Sequence, residues 1–105
     1  MIVSGGYNVY PREVEDVLCA HPAVVEVAVV GLPDDIWGEA VTAFVVLRGD
    51  GATETELLDH ARERLAGYKV PKSVRFVADI PKSPVGKPMR RALRDPFWEG
   101  RERRI

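Results

Sequence analysis

The chain has 105 residues, 46% of them apolar and 30% charged, with a formal net charge of −1 at pH 7. That is the length of one domain and the composition of an ordinary globular protein. No run approaches the ~20 apolar residues of a membrane span, no charged region followed by an apolar run opens the chain, and the single Cys19 excludes an internal disulfide, so a reducing, cytoplasmic setting is expected.

In chain order, Met1 to Tyr10 reads as two short extended pieces joined at Gly5-Gly6. Pro11 suits a first helical position, where its missing N–H is not needed. Val14, Val17 and Leu18 then give a helix its buried stripe, with Glu13, Glu15 and Asp16 near its positive end. His21-Pro22 stops it. Val24–Val30 and Val41–Leu47 are apolar on nearly every position, which predicts two strands covered on both faces. The stretch from Leu32 to Glu39 between them reads as a loop, and Arg48-Gly49-Asp50-Gly51 closes the second strand. Thr53 and Glu56 form a capping box for a helix continued by Leu57, Leu58, Ala61 and Leu65, with Gly67 at its C′ position. Val74–Val77 predicts a shorter third strand. Pro81, Pro84 and Pro88 hold an irregular loop around Val85-Gly86-Lys87. A last helix is predicted from Pro88 or Met89, pairing Met89 with Leu93 and ending before Pro96. The pattern predicts one α+β domain over residues 1–105: a small mixed or antiparallel three-stranded sheet with helices packed on it, plus a short N-terminal glycine hairpin.

Charge is distributed unevenly. Residues 1–81 carry seven Lys/Arg against thirteen Asp/Glu, while residues 82–105 carry eight against three. A basic segment on an acidic body is usually a solvated tail. No zinc-ligand spacing or interleaved aromatics point to nucleic acid, and a short basic cluster fits phosphate-bearing small molecules better.

Lys87 sits on a proline-stiffened loop beside Gly86 and next to a helix start. The helix dipole there disfavours a cation for stability but favours an anion that the lysine could reach. From spacing alone, a solvated surface lysine is the commoner reading. Gly5-Gly6 permits either an ordinary tight turn or close approach of a ligand; no Gly-Lys-Ser/Thr follows, so it is not a P-loop. Trp37, among Asp, Gly and Glu, either stacks on a planar ligand or covers the edge of the core. Tyr68-Lys69-Val70-Pro71-Lys72 suits a nucleotide phosphate and equally an exposed surface. Cys19 reads as packing or surface. His21 and His60 lack partners at metal-ligand spacing, so no metal site is assigned.

Four segments together resemble the C-terminal domain of the adenylate-forming superfamily, which includes acyl-CoA synthetases, peptide-synthetase adenylation domains and firefly-type luciferases. They are SGGYNVYPREVEDVL at 4–18, HPAVVEVAVVGLPDDIWGEAVTAFVVL at 21–47, LAGYKVPKSVRFV at 65–77 and IPKSPVGKPMRRALR at 80–94. The ending PFWEGRERRI is similar to the tails of fatty-acyl and related acid–CoA ligases, which implies that Ile105 is a natural C-terminus. The resemblance implies a mobile domain that works over its own large N-terminal ATP- and acyl-binding domain, with ATP, CoA and a carboxylic acid as substrates and Mg2+ held with ATP in that other domain. It assigns adenylation to Lys87, beside Gly86, and the pantetheine channel to Gly5 and Gly6, beside Tyr7. It further implies Trp37 near the CoA adenine, and the Tyr68–Lys72 segment, with Tyr68 and Lys69 as its named binding residues, near CoA phosphates. By itself the fragment is expected to be catalytically silent. A carrier-protein-loading adenylation domain, or a non-catalytic interaction module of the same fold, are the alternative expectations.

Overall fold

The computed structural model describes residues 1–49, 51–86 and 89–99. Five strands and three helices follow in the order β1 Ile2–Ser4, β2 Tyr7–Val9, α1 Pro11–Cys19, β3 Val24–Asp34, β4 Gly38–Leu47, α2 Glu54–Arg62, β5 Ser73–Phe76 and α3 Arg90–Trp98. The α+β class expected from the sequence is the one observed. The sheet reads β2-β1-β4-β3, with β5 also paired to β4. The glycine hairpin is thus joined to the sheet, through the single register pair Ser4↔Gly38 between β1 and β4. Farther along β4, β5 takes the same edge in parallel, from Thr42↔Ser73 to Val45↔Phe76. A parallel neighbour needs a long crossover, and α2 supplies it.

Residue alternation along β4 decides which helix covers which face. Val41, Ala43 and Val45 join Val14 and Leu18 of α1 and Leu57 of α2 in the main core. Phe44, with Val30 and Leu32, faces the other way and is covered by Leu93 of α3 and by Val77. Both faces of the central strands are therefore buried, as their near-continuous apolar runs predict.

Three boundaries differ from the sequence reading. The segment read as a loop from Leu32 to Glu39 is mostly strand, and β3 and β4 pair as far as Asp34↔Gly38. Pro33 is tolerated there because β3 is an edge strand, where a missing N–H costs no ladder bond on the outer side. The turn that remains is fastened by Asp34, whose Oδ1 accepts from the amides of Ile36 and Trp37, each at 2.9 Å. The second helix starts as expected, with Thr53 Oγ1 accepting from Glu56 N at 3.2 Å. It ends at Arg62, however, and its C-cap Glu63 keeps right-handed geometry. Gly67 is not a left-handed cap; it opens a 3₁₀ turn over Gly67–Lys69. The third helix runs through Pro96 instead of ending before it. Proline in a helix interior removes a backbone bond. Here the residues beyond it supply contacts that hold the last turn: the Phe97 ring centroid lies 6.2 Å from that of Phe44, and Trp98 Nε1 donates to Gly31 O at 2.9 Å. Met89, expected to pair with Leu93, is the exposed N-cap residue, while Leu93 turns to the core. Pro88 lies outside the described residues.

A buried carboxylate ties the three layers. Glu15 of α1 is 7% exposed. Its Oε2 accepts from the outward-facing amide of Val29 on β3 at 2.8 Å and from Arg90 Nε of α3 at 2.7 Å, and its Oε1 accepts from the other arm of the same guanidinium. A contrasting buried polar atom is Ser4 Oγ, which has no hydrogen-bond partner among the described residues. These two groups predict opposite outcomes. Glu15→Ala strands an amide and a half-covered guanidinium, and is expected to cost about 2–4 kcal/mol, read as a lower urea midpoint at unchanged slope. Ser4→Ala removes a hydroxyl that was desolvated without compensation. Its stability is expected to stay within about 0.5 kcal/mol of the parent or to rise; a loss well above that in the same urea titration would mean that the hydroxyl has a partner.

Candidate functional site

The glycine hairpin has the shortest connection antiparallel strands allow. Register pairs Ile2↔Val9, Val3↔Asn8 and Ser4↔Tyr7 leave Gly5 and Gly6 alone in the turn, with φ of 57° and 85°. Both central residues of such a turn need positive φ, which glycine adopts without steric cost. A Cβ on Gly6 would meet nothing within 4 Å, whereas one on Gly5 would lie 2.7 Å from Trp37 Cε3. Gly6 therefore faces open space and Gly5 is packed against an indole. Further fastening comes from Gly5 N, which donates to Trp37 O at 3.0 Å, and from the buried Glu39, whose Oε2 accepts from Val3 N at 3.0 Å. Glu39 fits because Gly31 has no side chain: a Cβ there would stand 2.6 Å from Glu39 Oε1.

Around this turn the fold gathers rings and cations that are distant in sequence. Lys72 Nζ sits 4.2 Å from the centre of the Trp37 ring, and the Lys72 amide donates to Val41 O of β4 at 2.7 Å. Tyr7 and Tyr68 stack with centroids 4.7 Å apart at 23°. Lys69 lies 5.5 Å from the Tyr68 centroid and pairs with Glu13 of α1 at 2.9 Å. That hydrogen bond to Glu13 raises the Lys69 pKa above the usual lysine value. Residues singled out in the sequence thus form two groups, Gly5 with Trp37 and Lys72, and Tyr7 with Tyr68 and Lys69, joined by the short hairpin that carries both Gly5 and Tyr7. The three large rings of these groups, Tyr7, Trp37 and Tyr68, are all exposed.

Gly86 belongs to a different place. It has φ of 82°, and its amide donates to Ser83 O at 2.8 Å. Met89 N closes the loop onto Pro81 O at 2.8 Å. The loop stems are held from the body: Lys82 pairs with Glu26 of β3 at 2.7 Å, and Arg90 with Glu15. Lys87 lies outside the described residues.

Sequence reasoning missed the supports. The sequence marks Glu15 as a helix-dipole acid and Glu39 as part of a loop. A carboxylate spaced one residue from the buried Val14 gave no signal of its own, because its partners are 14 and 75 residues away. Cys19 is exposed, and partial desolvation together with the neighbouring Glu15 and Asp16 carboxylates pushes its thiol pKa up, the opposite of nucleophile activation. Among the described residues no group of three or more His, Cys, Asp or Glu side chains is placed to hold a metal ion.

Comparison with known proteins gives a consistent outcome. Residues 13–87 match the family model of the AMP-binding enzyme C-terminal domain. The chain is 47% identical to a medium/long-chain-fatty-acid–CoA ligase of Mycobacterium tuberculosis, over 100% of this chain and 20% of the relative. It is 49% identical to the 2-succinylbenzoate–CoA ligase of Bacillus mycoides, over 90% of this chain and 19% of the relative. The solved fatty acyl CoA synthetase of Mycobacterium tuberculosis superposes with a TM-score of 0.89 at 45% identity, covering 95% of this chain and 20% of that one. The chain spans about a fifth of the length of these relatives. A match over residues 13–87, on a fold shared almost throughout, makes this chain a member of the AMP-binding enzyme C-terminal domain family.

Proposed function

We propose that residues 1–105 form the mobile C-terminal domain of an ATP-dependent, AMP-forming carboxylate–CoA ligase, working over a large N-terminal domain that binds ATP and the acyl group. The observation that carries the reading is the surface where an obligate-glycine turn stands beside flat rings and charged ammonium groups, the chemistry that a long thiol cofactor with a nucleotide end requires. A channel wall made of glycine lets a narrow pantetheine arm pass close to backbone, and aromatic faces with lysines suit a base and its phosphates.

Two steps make up the reaction. A carboxylate oxygen of the acid attacks the α-phosphorus of ATP; that P–O bond forms, the bond to pyrophosphate breaks, and acyl-adenylate remains. The CoA thiol, releasing its proton, then attacks the acyl carbonyl; a C–S bond forms and the C–O bond to AMP breaks. In this reading Lys87, on the loop with Gly86, offsets negative charge gathering on the phosphate and carboxylate oxygens in the first step. Gly5 and Gly6, with Tyr7 beside them, line the thiol's path in the second. Trp37, Tyr68 and Lys69 border the CoA nucleotide. Mg2+ accompanies ATP in the N-terminal domain. The separation of the Gly86 loop from the Gly5–Trp37–Tyr68 surface supports a domain that presents one face for each step. With relatives acting on acids as different as fatty acids and 2-succinylbenzoate, the acyl preference belongs to the other domain. A cytoplasmic setting accords with the substrates, and no helix among the described residues is long and apolar enough to cross a membrane.

The test is to separate the two half-reactions in the full-length ligase. Lys87→Ala is expected to slow adenylation, followed by pyrophosphate release, by about 10²–10³, while thioester formation from supplied acyl-adenylate persists. Equal loss of both half-reactions, or of neither, overturns the assignment of Lys87. Gly6→Val should do the converse. Its side chain would project into open space rather than into the fold, so the cost within the domain is limited to backbone strain of roughly 1–2 kcal/mol. Thioester formation should fall by at least tenfold more than adenylation, measured as acyl-CoA released per enzyme.

A further inference from the structure

Trp37 is held at more points than a simple exposed stacking platform would need. Its backbone is set by Asp34, which accepts from the Trp37 amide at 2.9 Å. Its carbonyl accepts from Gly5 N at 3.0 Å. Its six-membered ring packs so closely on Gly5 that a Cβ there would lie 2.7 Å from Cε3 and 2.9 Å from Cζ3. The indole also carries Lys72 Nζ at 4.2 Å from a ring centroid, and Lys72 is itself anchored by its amide to Val41 O of β4 at 2.7 Å. Meanwhile the hairpin that bears Gly5 and Gly6 has only one register pair, Ser4↔Gly38, with the rest of the sheet. A two-stranded hairpin by itself is marginally stable in water. The base of the hairpin is anchored by Ile2 and Val9 in the core and by Glu39 at Val3 N, whereas Gly5 in its tip meets Trp37 through both backbone and ring.

We infer that Trp37 is a positioning residue for the thiol-transfer step: it contacts both the Gly5-Gly6 turn and the anchored Lys72, and fixes the turn in the pose that lines the pantetheine arm. The inference rests on the reading above, that this turn borders the thiol's path. It differs from a nucleotide contact in a measurable way, because a residue that acts through the turn matters even when the thiol carries no nucleotide. Misplacing a reacting group by about 1 Å is enough to cost on the order of 10²-fold in rate.

The experiment uses the full-length ligase supplied with dodecanoyl-adenylate, and compares CoA with pantetheine, which has the same thiol arm and no nucleotide. Trp37→Ala is expected to lower kcat for both acceptors, about tenfold or more, and by at least several-fold more than it lowers adenylation, with the loss of its border to the nucleotide read separately as a raised KM for CoA alone. Trp37→Phe, which keeps a smaller ring against Gly5 and so protects folding, should fall between Trp37→Ala and the parent for both acceptors. If the loss is confined to CoA, as a raised KM with pantetheine turnover retained, Trp37 is a nucleotide platform and the inference is overturned. Equal loss in adenylation and thioester formation, for both variants, means general damage to the domain and overturns it as well. Gly6→Val in the same assay tests the underlying reading: if it leaves both acceptors untouched, the turn does not border the thiol's path, and that reading fails whatever Trp37→Ala does.

Discussion

The architecture depends on a carboxylate placed where a carboxylate is ordinarily costly. Glu15 points from α1 toward the free edge of β3, and burying such a group without partners would cost several kcal/mol. It is held by the Val29 amide and by both arms of the Arg90 guanidinium. A two-pronged pairing of this type is directional as well as strong. One group thereby satisfies an edge amide, fixes α1 against the sheet, and draws α3 around that edge from the opposite face. Trp98 completes the edge by donating to Gly31 O. An open strand edge invites pairing with another chain; here side chains from both helices occupy it.

The second constraint is the sharing of β4. One side of this strand pairs with β3 along its whole length, and the other is divided between Gly38, which meets β1, and Thr42–Val45, which meet β5. That division brings the chain's first few residues, the β3–β4 turn and the segment before β5 to one end of the sheet. Gly5, Trp37 and Lys72 come together for that reason. The surface is thus a product of topology, and no local stretch of sequence encodes it. Gly31 is part of the same arrangement, since its missing side chain leaves room for the Glu39 carboxylate that accepts from Val3 N.

Elements governed by local chemistry were legible in the sequence. Pro11 opens α1, Thr53 caps α2, Gly5-Gly6 make the hairpin turn, and the apolar runs from Val24 and Val41 are strands covered on both faces. The misread boundaries are those where distant contacts override local preference. Pro33 looks like a loop residue, yet an edge strand can carry it. Pro96 looks like a helix stop, yet Phe97 and Trp98 have partners on β4 and β3 that keep the helix going. Gly67 looks like a cap, yet the chain between α2 and the 3₁₀ turn is shaped by Leu65 packing on the core. Of the candidate site, the residue types were readable but their meeting was not. Tyr7 with Tyr68, and Trp37 with Lys72, are pairs that only the sheet order brings together. For Lys87 the family resemblance, and not geometry, carries the assignment.

The lopsided charge of the sequence has a structural resolution. A basic last quarter on an acidic body looks like an arm held out to a polyanion. Two of its cations are instead turned inward onto the body's own carboxylates: Lys82 onto Glu26 of β3, and Arg90 onto Glu15 of α1. Exposed pairs such as Lys82–Glu26 contribute little stability, commonly under about 1 kcal/mol, so their effect is better understood as orientation. They fasten the two stems of the proline-rich loop to two different elements of the body. With Lys82 paired to β3 and Arg90 to α1, the two stems of the loop are kept from drifting relative to the sheet. The same arrangement recurs on the other surface, where Glu13 holds Lys69 while Trp37 holds Lys72. In both places side chains of the body, carboxylates for Lys82, Arg90 and Lys69 and an indole for Lys72, fix where the positive charge stands.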